Sequence, residues 1–523
     1  MPARRRKIGG IIMLTCLVLA DRHAAGQAYV TANGSSFQVC NQTLRFMGFN
    51  LRGICHYGRG DALPYSHTSD IETNLDYCVA AKATVIRVFC AYHGIDSVET
   101  GDRLQTILDA CQDRGMWAIV ALTDMYYTGL HPQGDDAYYT DYGSYTMLNH
   151  SFFAGGYTVN YLPQAVYLAD RFKDHPALFA WQVGNEIRDL SSGSTFLSFC
   201  QDMTAQIWAV DPNHMLSAGV IGSGHIGPGI SAADLYAHFD FVNSHNYNGG
   251  GVDDSGIANQ LNKPYLIDEA GFDSRFYGPD RTPEADDDID QWINDRGAEG
   301  YMNWGLMASS DDNGDGDWYF GVDWVLGDHE EDFDAYRDLF NTWGTSFETP
   351  PALAVEPTSI EQTIAHGHDA DDDTFTVRNT GSGSFTFDVT ESIDWLWVSP
   401  AGGSADCFGT PVIIHYDSAS LVPGAHVGQI KVTADGIGNS PQYVEVTLTV
   451  EGTPGDFDGD GDVDQEDFGQ FQACLSGPGL EQDDPACEPA LLDPDVDVDQ
   501  DDFAIFEGCI SGPNVPADPS CAD

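Results

Sequence analysis

Two glutamates set in apolar surroundings, Glu186 in WQVGNEI and Glu269 in YLIDEAG, offer the pair of carboxyl groups that glycosidic cleavage uses. One carboxyl protonates the leaving oxygen while the other meets the anomeric carbon, which carries oxocarbenium character in the transition state. Asn185, directly before Glu186, carries an amide able to hydrogen-bond a sugar 2-hydroxyl, an interaction that strengthens as the transition state forms. Arg87 in TVIRVF could keep Glu269 ionised and oriented through charge-assisted hydrogen bonds. His245 and Tyr247 in NSHNY could bond the same carboxylate or the sugar. An isolated Asn-Glu or Asp-Glu dipeptide means nothing; its meaning comes from the elements that hold it.

Those elements are short apolar runs alternating with segments of helical period. Candidate strands cover Leu44 to Asn50, Thr84 to Phe89, Trp117 to Leu122, Leu178 to Val183, Met215 to Val220, Phe241 to Ser244, Pro264 to Ile267 and Tyr301 to Leu306. Between them, Asp70 to Ala81 and Arg103 to Arg114 repeat apolar residues at three- and four-residue spacing, as helices do. Eightfold strand-helix alternation predicts a (β/α)8 TIM barrel over residues 29–347, with its active site at the carboxyl ends of the strands. Glu186 follows the fourth strand and Glu269 the seventh, which an eightfold barrel sets across the central cavity from one another. An open doubly wound sheet is disfavoured, because FMGFNLRG after the first strand has the wrong glycine spacing for a phosphate loop.

The barrel region resembles a clan A glycoside hydrolase and is most similar to family 5, the cellulase and mannanase family. The resemblance rests on FMGFNLRG, Arg87 in IRVF, Asn185 and Glu186 in WQVGNE, His245 and Tyr247 in SHNY, Glu269 in LIDEAG, and Trp304 in MNWGLM on the eighth strand. It implies that Glu186 is the acid/base, Glu269 the nucleophile and the mechanism retaining, with the carboxyls about 5 to 5.5 Å apart. Trp304 would then form the floor of the subsite beside the cleaved bond, its indole face against a pyranose. Two positions depart from the family pattern. Ile187 stands where a proline usually follows the acid/base, and TDMYY after the third strand lacks the usual histidine, for which Asp124, Tyr126 or His131 could substitute. Loops after the first three strands carry His56, Tyr57, Tyr92, His93, Tyr126 and Tyr127, aromatic and imidazole groups suited to a polysaccharide cleft.

The whole chain has 523 residues, with 22 Lys+Arg against 81 Asp+Glu and a formal charge of −59. Such a field repels nucleic acid, anionic lipid and uronate polymers, so a neutral glycan is the fitting substrate; cellulose, mannan, xyloglucan and mixed β-glucan all remain open. Residues 1–28 have the anatomy of a secretory signal peptide: Arg4, Arg5, Arg6 and Lys7, an apolar run from Ile8 to Ala20, then small residues. No later run is long enough to span a bilayer, so a secreted, extracellular protein is expected, and its cysteines are expected to pair. Eleven of the 12 cysteines remain after Cys16 leaves with the signal, an odd number.

Past the proline-marked linker ETPPALAV, alternating segments such as Thr374 to Val377, Ser384 to Val389 and Tyr443 to Val450 predict an all-β sandwich over residues 351–452. Its IDWLWVSPAGGS resembles the BACON type of immunoglobulin-like module. Trp395 and Trp397, two apart, would face the same side if they share a strand, either as a sugar platform or as core.

Residues 453–523 repeat with a 35-residue offset, DVDQEDFGQFQACLSGPG recurring as DVDQDDFAIFEGCISGPN. The matching stretches predict one loop disulfide per copy, Cys474–Cys487 and Cys509–Cys521. Asp456, Asp458, Asp460, Asp462 and Asp467 occupy positions 1, 3, 5, 7 and 12 of a Ca²⁺ loop with Gly461 at position 6. Aspartate at position 12, a helix expected from Phe468 and the tandem duplication make this small α-helical, EF-hand-like tail resemble a dockerin, which implies structural Ca²⁺ and a cohesin-like protein partner, possible surface attachment included. The second copy is degenerate, with Leu491 at position 1 and Val496 at position 6, leaving Asp493, Asp495, Asp497 and Asp502. A further acidic run, Asp311 to Asp317, begins like a calcium loop but places Val322 at position 12, and reads as a solvated turn. The sequence thus describes a secreted, modular β-glycan hydrolase needing no catalytic cofactor. The competing class is a noncatalytic glycan-binding or scaffold-attached adhesion protein.

Overall fold

The computed structural model describes residues 29–55, 68–90, 96–127, 134–278, 281–307, 322–323, 330–518 and 520–522. Residues 1–28, expected to be a signal peptide, and His56, Tyr57, Tyr92, His93, His131 and the acidic run 311–317 lie outside the described residues. The chain forms two compact units, Met1–Glu348 and Thr349–Asp523.

The first unit holds eight parallel strands in the expected order: Phe46–Asn50, Ala83–Phe89, Trp117–Ala121, Leu178–Gln182, Met215–Ser217, Val242–Tyr247, Tyr265–Gly271 and Gly300–Asn303. Each is buried on both faces, which is why the sequence reads as continuous apolar runs rather than alternation. The ladder runs from the fifth strand through the first to the sixth. Where those two ends meet, single backbone bonds replace a ladder: Asp240 N–H to Leu216 O at 2.9 Å and His245 N–H to Ile221 O at 2.9 Å. The Asn243 side chain adds a bond to Val220 O at 2.8 Å. The barrel interior is tight enough that a Cβ on Gly48 would lie 2.5 Å from Val85 O. At the amino-terminal end, a hairpin of Thr31–Asn33 and Ser36–Val39 plugs the barrel with Phe37, whose ring meets Phe179 at 5.0 Å and Phe241 at 5.3 Å. Helices Thr68–Ala80 and Ser97–Gln112 cover the outside, each starting before the periodic segment that predicted it.

Cysteine pairing is corrected for five cysteines of this unit: Cys55, Cys78, Cys90, Cys111 and Cys200 are free thiols, all buried, whereas Cys40 is disulfide-bonded. Burial in apolar surroundings pushes the Cys78, Cys111 and Cys200 thiols up and keeps them protonated.

In the second unit a sandwich packs a four-stranded sheet (Leu353–Glu356, Asp373–Asn379, Thr410–Tyr416, Leu396–Ser399) on a five-stranded one (Ser359–Ala365, Gln442–Glu451, Gly424–Thr433, Phe385–Glu391, Gly402–Ala405). Phe375, Val377, Ile430, Val432, Val444 and Val446 fill the space between them. The two tryptophans do not share a strand face. The strand begins at Leu396, so Trp397 projects outward at 49% exposure, while Trp395, just before it, packs on the core and stacks near Tyr416.

The duplicated tail forms helices Gln465–Cys474 and Gln500–Cys509, the first starting three residues before the expected Phe468. Both predicted disulfides are present. The copies are laced together reciprocally: Val463 N–H donates to Ser511 Oγ and Val498 N–H to Ser476 Oγ, each at 3.0 Å.

Candidate active site

Glu186 sits just beyond the fourth strand with φ +53°, a left-handed conformation that costs a non-glycine residue energy and recurs at functional sites. Its amide donates to Gly219 O at 2.6 Å. Gly219 can approach this way only without a side chain, since a Cβ there would collide with the Gly184 carbonyl. Glu269 lies within the seventh strand. Neighbours in a regular strand point to opposite faces, but the register shifts between Ile267 and Ala270, and both Asp268 and Glu269 approach Arg87.

Arg87 is fully buried on the second strand and organises the floor of the site. Its Nη1 donates to Glu269 Oε1 at 2.6 Å and to Asn50 Oδ1 at 3.0 Å. Its Nε donates to Gln182 Oε1 at 2.6 Å, and its Nη2 to Asn185 Oδ1 at 2.9 Å. Tyr247 donates its hydroxyl to Glu269 Oε2 at 2.8 Å. Burial pushes the Glu269 carboxyl up, but the charges of His245 and Arg87 and the hydrogen bonds from His245 and Tyr247 outweigh it and hold the group down at about 2. A carboxylate so held is ionised across the neutral range.

His245 stands between the two glutamates, its Nδ1 2.7 Å from Glu186 Oε1 and 3.1 Å from Glu269 Oε2. Its Nε2 is 3.4 Å from Asp268 Oδ1. Burial disfavours the imidazolium, yet the surrounding carboxylates raise the ring to about 10. Glu186, His245 and Glu269 each offer an atom within 4.8 Å of the others, so the carboxyls are close enough to act on one bond. Tyr126 donates to the other oxygen of Glu186, Oε2, at 2.8 Å.

The structure therefore gathers Glu186, Glu269, Arg87, Asn185, His245 and Tyr247. Of the substitutes for the absent histidine, Tyr126 reaches Glu186 directly and Asp124 accepts from Asn185 Nδ2 at 3.1 Å. Trp304 ends the eighth strand at 6% exposure, its ring edge-on to Phe89 at 6.1 Å; Phe89 in turn lies 4.9 Å from the Arg87 guanidinium. Sequence reasoning missed Asn50, Gln182 and Asp268. Asn50 and Gln182 are the polar last residues of otherwise apolar strands, and Asp268 adjoins Glu269 within the seventh.

Acidic groups able to hold a hard cation lie in the tail. Oxygens of Asp456, Asp458 and Asp460 fall within 4.8 Å of one another, as do those of Asp462, Asp464 and Asp467. The two trios together contain all five residues expected from the sequence, with Asp464 added. The Asp462 carboxylate accepts the Asn514 amide of the other copy, consistent with a loop position that offers its backbone carbonyl instead. In the second copy Asp493, Asp495 and Asp502 cluster, while Asp497 accepts Gly479 N–H at 2.7 Å and stands apart. Burial raises the Asp456 and Asp458 carboxyls, with the Asp467 charge adding to the effect. An all-oxygen donor set crowded with like charge suits Ca²⁺.

Residues 352–449 match the model of the Viral BACON domain family. A putative mannan endo-1,4-β-mannosidase 9 of Oryza sativa subsp. japonica is 24% identical over 332 residues, covering 51% of this chain and 79% of that protein. A probable mannan endo-1,4-β-mannosidase F of Aspergillus oryzae is 24% identical over 232 residues, covering 38% and 45%. This chain thus spans most of the Oryza protein but less than half of the Aspergillus one. The endo-β-1,4-mannanase structure from Thermotoga petrophila aligns with 79% of this chain and 99% of its own, at 16% identity and a TM-score of 0.46.

Proposed function

We propose that this chain, a glycoside hydrolase barrel of the family 5 type joined to a BACON-like sandwich, hydrolyses β-1,4-mannan with retention of configuration. One observation carries the mechanism: one oxygen of Glu186 and one of Glu269 lie within 4.8 Å and both face His245 Nδ1, a closeness of the two carboxyls that supports a double displacement. Glu269, ionised and held by Arg87 and Tyr247, attacks the anomeric carbon as Glu186 gives its proton to the departing glycosidic oxygen. The C–O bond to the leaving sugar breaks as the ester bond to Glu269 forms. Glu186 then takes a proton from water, whose oxygen displaces Glu269 and leaves the β-anomer. His245 bonds the acid/base carboxyl, and the Asn185 amide, beside Arg87, is the group to meet the sugar 2-hydroxyl. The mannosidase names of the sequence relatives favour mannan among the neutral β-glycans.

Binding without turnover, as in an adhesion protein, would not need a carboxylate ionised by two buried cations. The leader at residues 1–28 supports secretion, and the tail supports a calcium-ordered docking module of the dockerin type for a cohesin-like protein. The test is reducing-sugar release on mannan, glucomannan, cellulose derivative, xyloglucan and mixed-linkage glucan, with Glu269→Gln alongside. Release on mannan that disappears in the variant is expected; undiminished release by Glu269→Gln would refute the site.

A further inference from the structure

We infer that Tyr126, Tyr145 and Tyr142 form an aromatic ridge that binds the leaving-group side of the glycan chain, the sugars on the far side of Glu186 from Glu269. This inference rests on the glycoside hydrolase reading above. After the third barrel strand the chain makes an antiparallel hairpin, Tyr139–Tyr142 against Tyr145–Leu148, turning at Gly143 with φ +67°. Its register pairs Tyr142 with Tyr145 and Thr140 with Met147, and an antiparallel bridge sets Tyr126 opposite Met147 as a third strand. Paired residues share a face and alternate residues along a strand return to it. Tyr126, Met147, Tyr145 and Tyr142 therefore lie on one face, and Tyr127 and Tyr139 on the other, where their rings meet at 5.3 Å.

The ridge has a direction. Its inner end is the Tyr126 hydroxyl on Glu186 Oε2, whereas Oε1 of the same carboxyl faces His245 and through it Glu269. The nucleophile meets the ring that becomes covalently attached, and the acid meets the oxygen of the departing chain. A surface that starts beyond the acid consequently lies along the departing chain. From Tyr126 it continues to Tyr145, ring centroids 5.5 Å apart, and then to Tyr142 across the hairpin.

Exposure rises along the same line. Tyr145 and Tyr142 are 61% and 62% exposed, while Met147 beneath the inner end is buried. Hairpin tips ordinarily carry small or polar residues, so two cross-strand aromatics left open to solvent beside a catalytic carboxyl call for a ligand. A tyrosine ring offers an apolar face for the C–H side of a pyranose and a hydroxyl for its edge, and orders few torsions in doing so. The ligand class is a neutral β-linked polysaccharide.

The experiment compares Tyr145→Ala and Tyr142→Ala with wild type in the full chain. Substrates are soluble galactomannan and an aryl β-mannobioside whose small aryl group ends short of the hairpin. The expected result is a loss of about tenfold in kcat/KM on the polymer for Tyr145→Ala, less for Tyr142→Ala, with the aryl substrate unchanged. Tyr145→Phe should retain most of the polymer activity. Equal loss on both substrates, or no loss on the polymer, would overturn the ridge. Affinity electrophoresis in gels holding galactomannan or hydroxyethylcellulose separates this from the choice of sugar. Retardation in glucan alone that the alanine variants abolish removes mannan and supports the ridge; retardation in either gel that the variants leave intact overturns it.

Discussion

Tyr126, in the segment after the third strand, donates its hydroxyl proton to Oε2 of Glu186 across 2.8 Å. Each of the two proposed catalytic glutamates is consequently held by its own tyrosine, Glu186 by Tyr126 and Glu269 by Tyr247. The other oxygen of Glu186, Oε1, faces His245 Nδ1 at 2.7 Å. Tyr126→Phe removes a hydrogen bond to a charged group, worth about 1.5–3 kcal/mol, so kcat should fall roughly 10- to 100-fold. The loss should be large for aryl glycosides with poor leaving groups and small for those that depart without protonation, which steady-state rates across a leaving-group series will show.

Arg87 makes four side-chain hydrogen bonds from a fully buried position. Arg87→Lys keeps the charge but cannot reproduce the planar fork, so kcat should drop while the fold persists. Arg87→Ala leaves Glu269 and Asp268 buried without their cation and should cost about 3–5 kcal/mol in chemical denaturation. Equal stability of the two variants would contradict this account.

Stability should depend on pH through His245 and Glu269. Burial lowers the His245 value, but its carboxylate neighbours raise it from 6.5 to about 10; the stabilisation is therefore complete below 6.5 and is lost as pH rises toward 10. For Glu269 the direction is opposite, down from 4.5 to about 2, so its contribution is present above 4.5 and is lost as pH falls toward 2. Urea midpoints measured against pH should decline on the alkaline side for wild type, and His245→Gln should flatten that decline.

The tail should respond to chelation and reduction while hydrolysis does not. Breaking Cys509–Cys521, a separation of 12 residues, should cost the tail about 3 kcal/mol. Asp467, fully buried and accepting the Phe457 and Asp464 amides, is needed to shape the first loop. Asp467→Ala should abolish the calcium-induced rise in tail melting temperature by calorimetry, with reducing-sugar release on mannan unchanged.

The eight strands, their order and the position of Glu186 just past the fourth were legible in the sequence because a doubly buried parallel strand writes itself as an apolar run, and a charged residue in such a run stands out; Glu269, expected just past the seventh strand, lies within it. The duplication was legible for the same kind of reason, since two copies of one motif imply one disulfide each. What tertiary structure decided was everything that depends on distance between remote segments. The bulge after Ile267, which lets Asp268 join Glu269 at Arg87, leaves no mark on composition. Trp395 and Trp397 parted because the strand begins at Leu396, which leaves Trp395 in the turn before it, where the alternation of strand faces does not apply. Five cysteines of the barrel are free thiols buried in its core, a circumstance that residue counting cannot register. Tyr126 and Glu186 are 60 positions apart, and the pairing of the third and fourth barrel strands, extended by the Asp124–Asn185 bridge, brings them within a hydrogen bond.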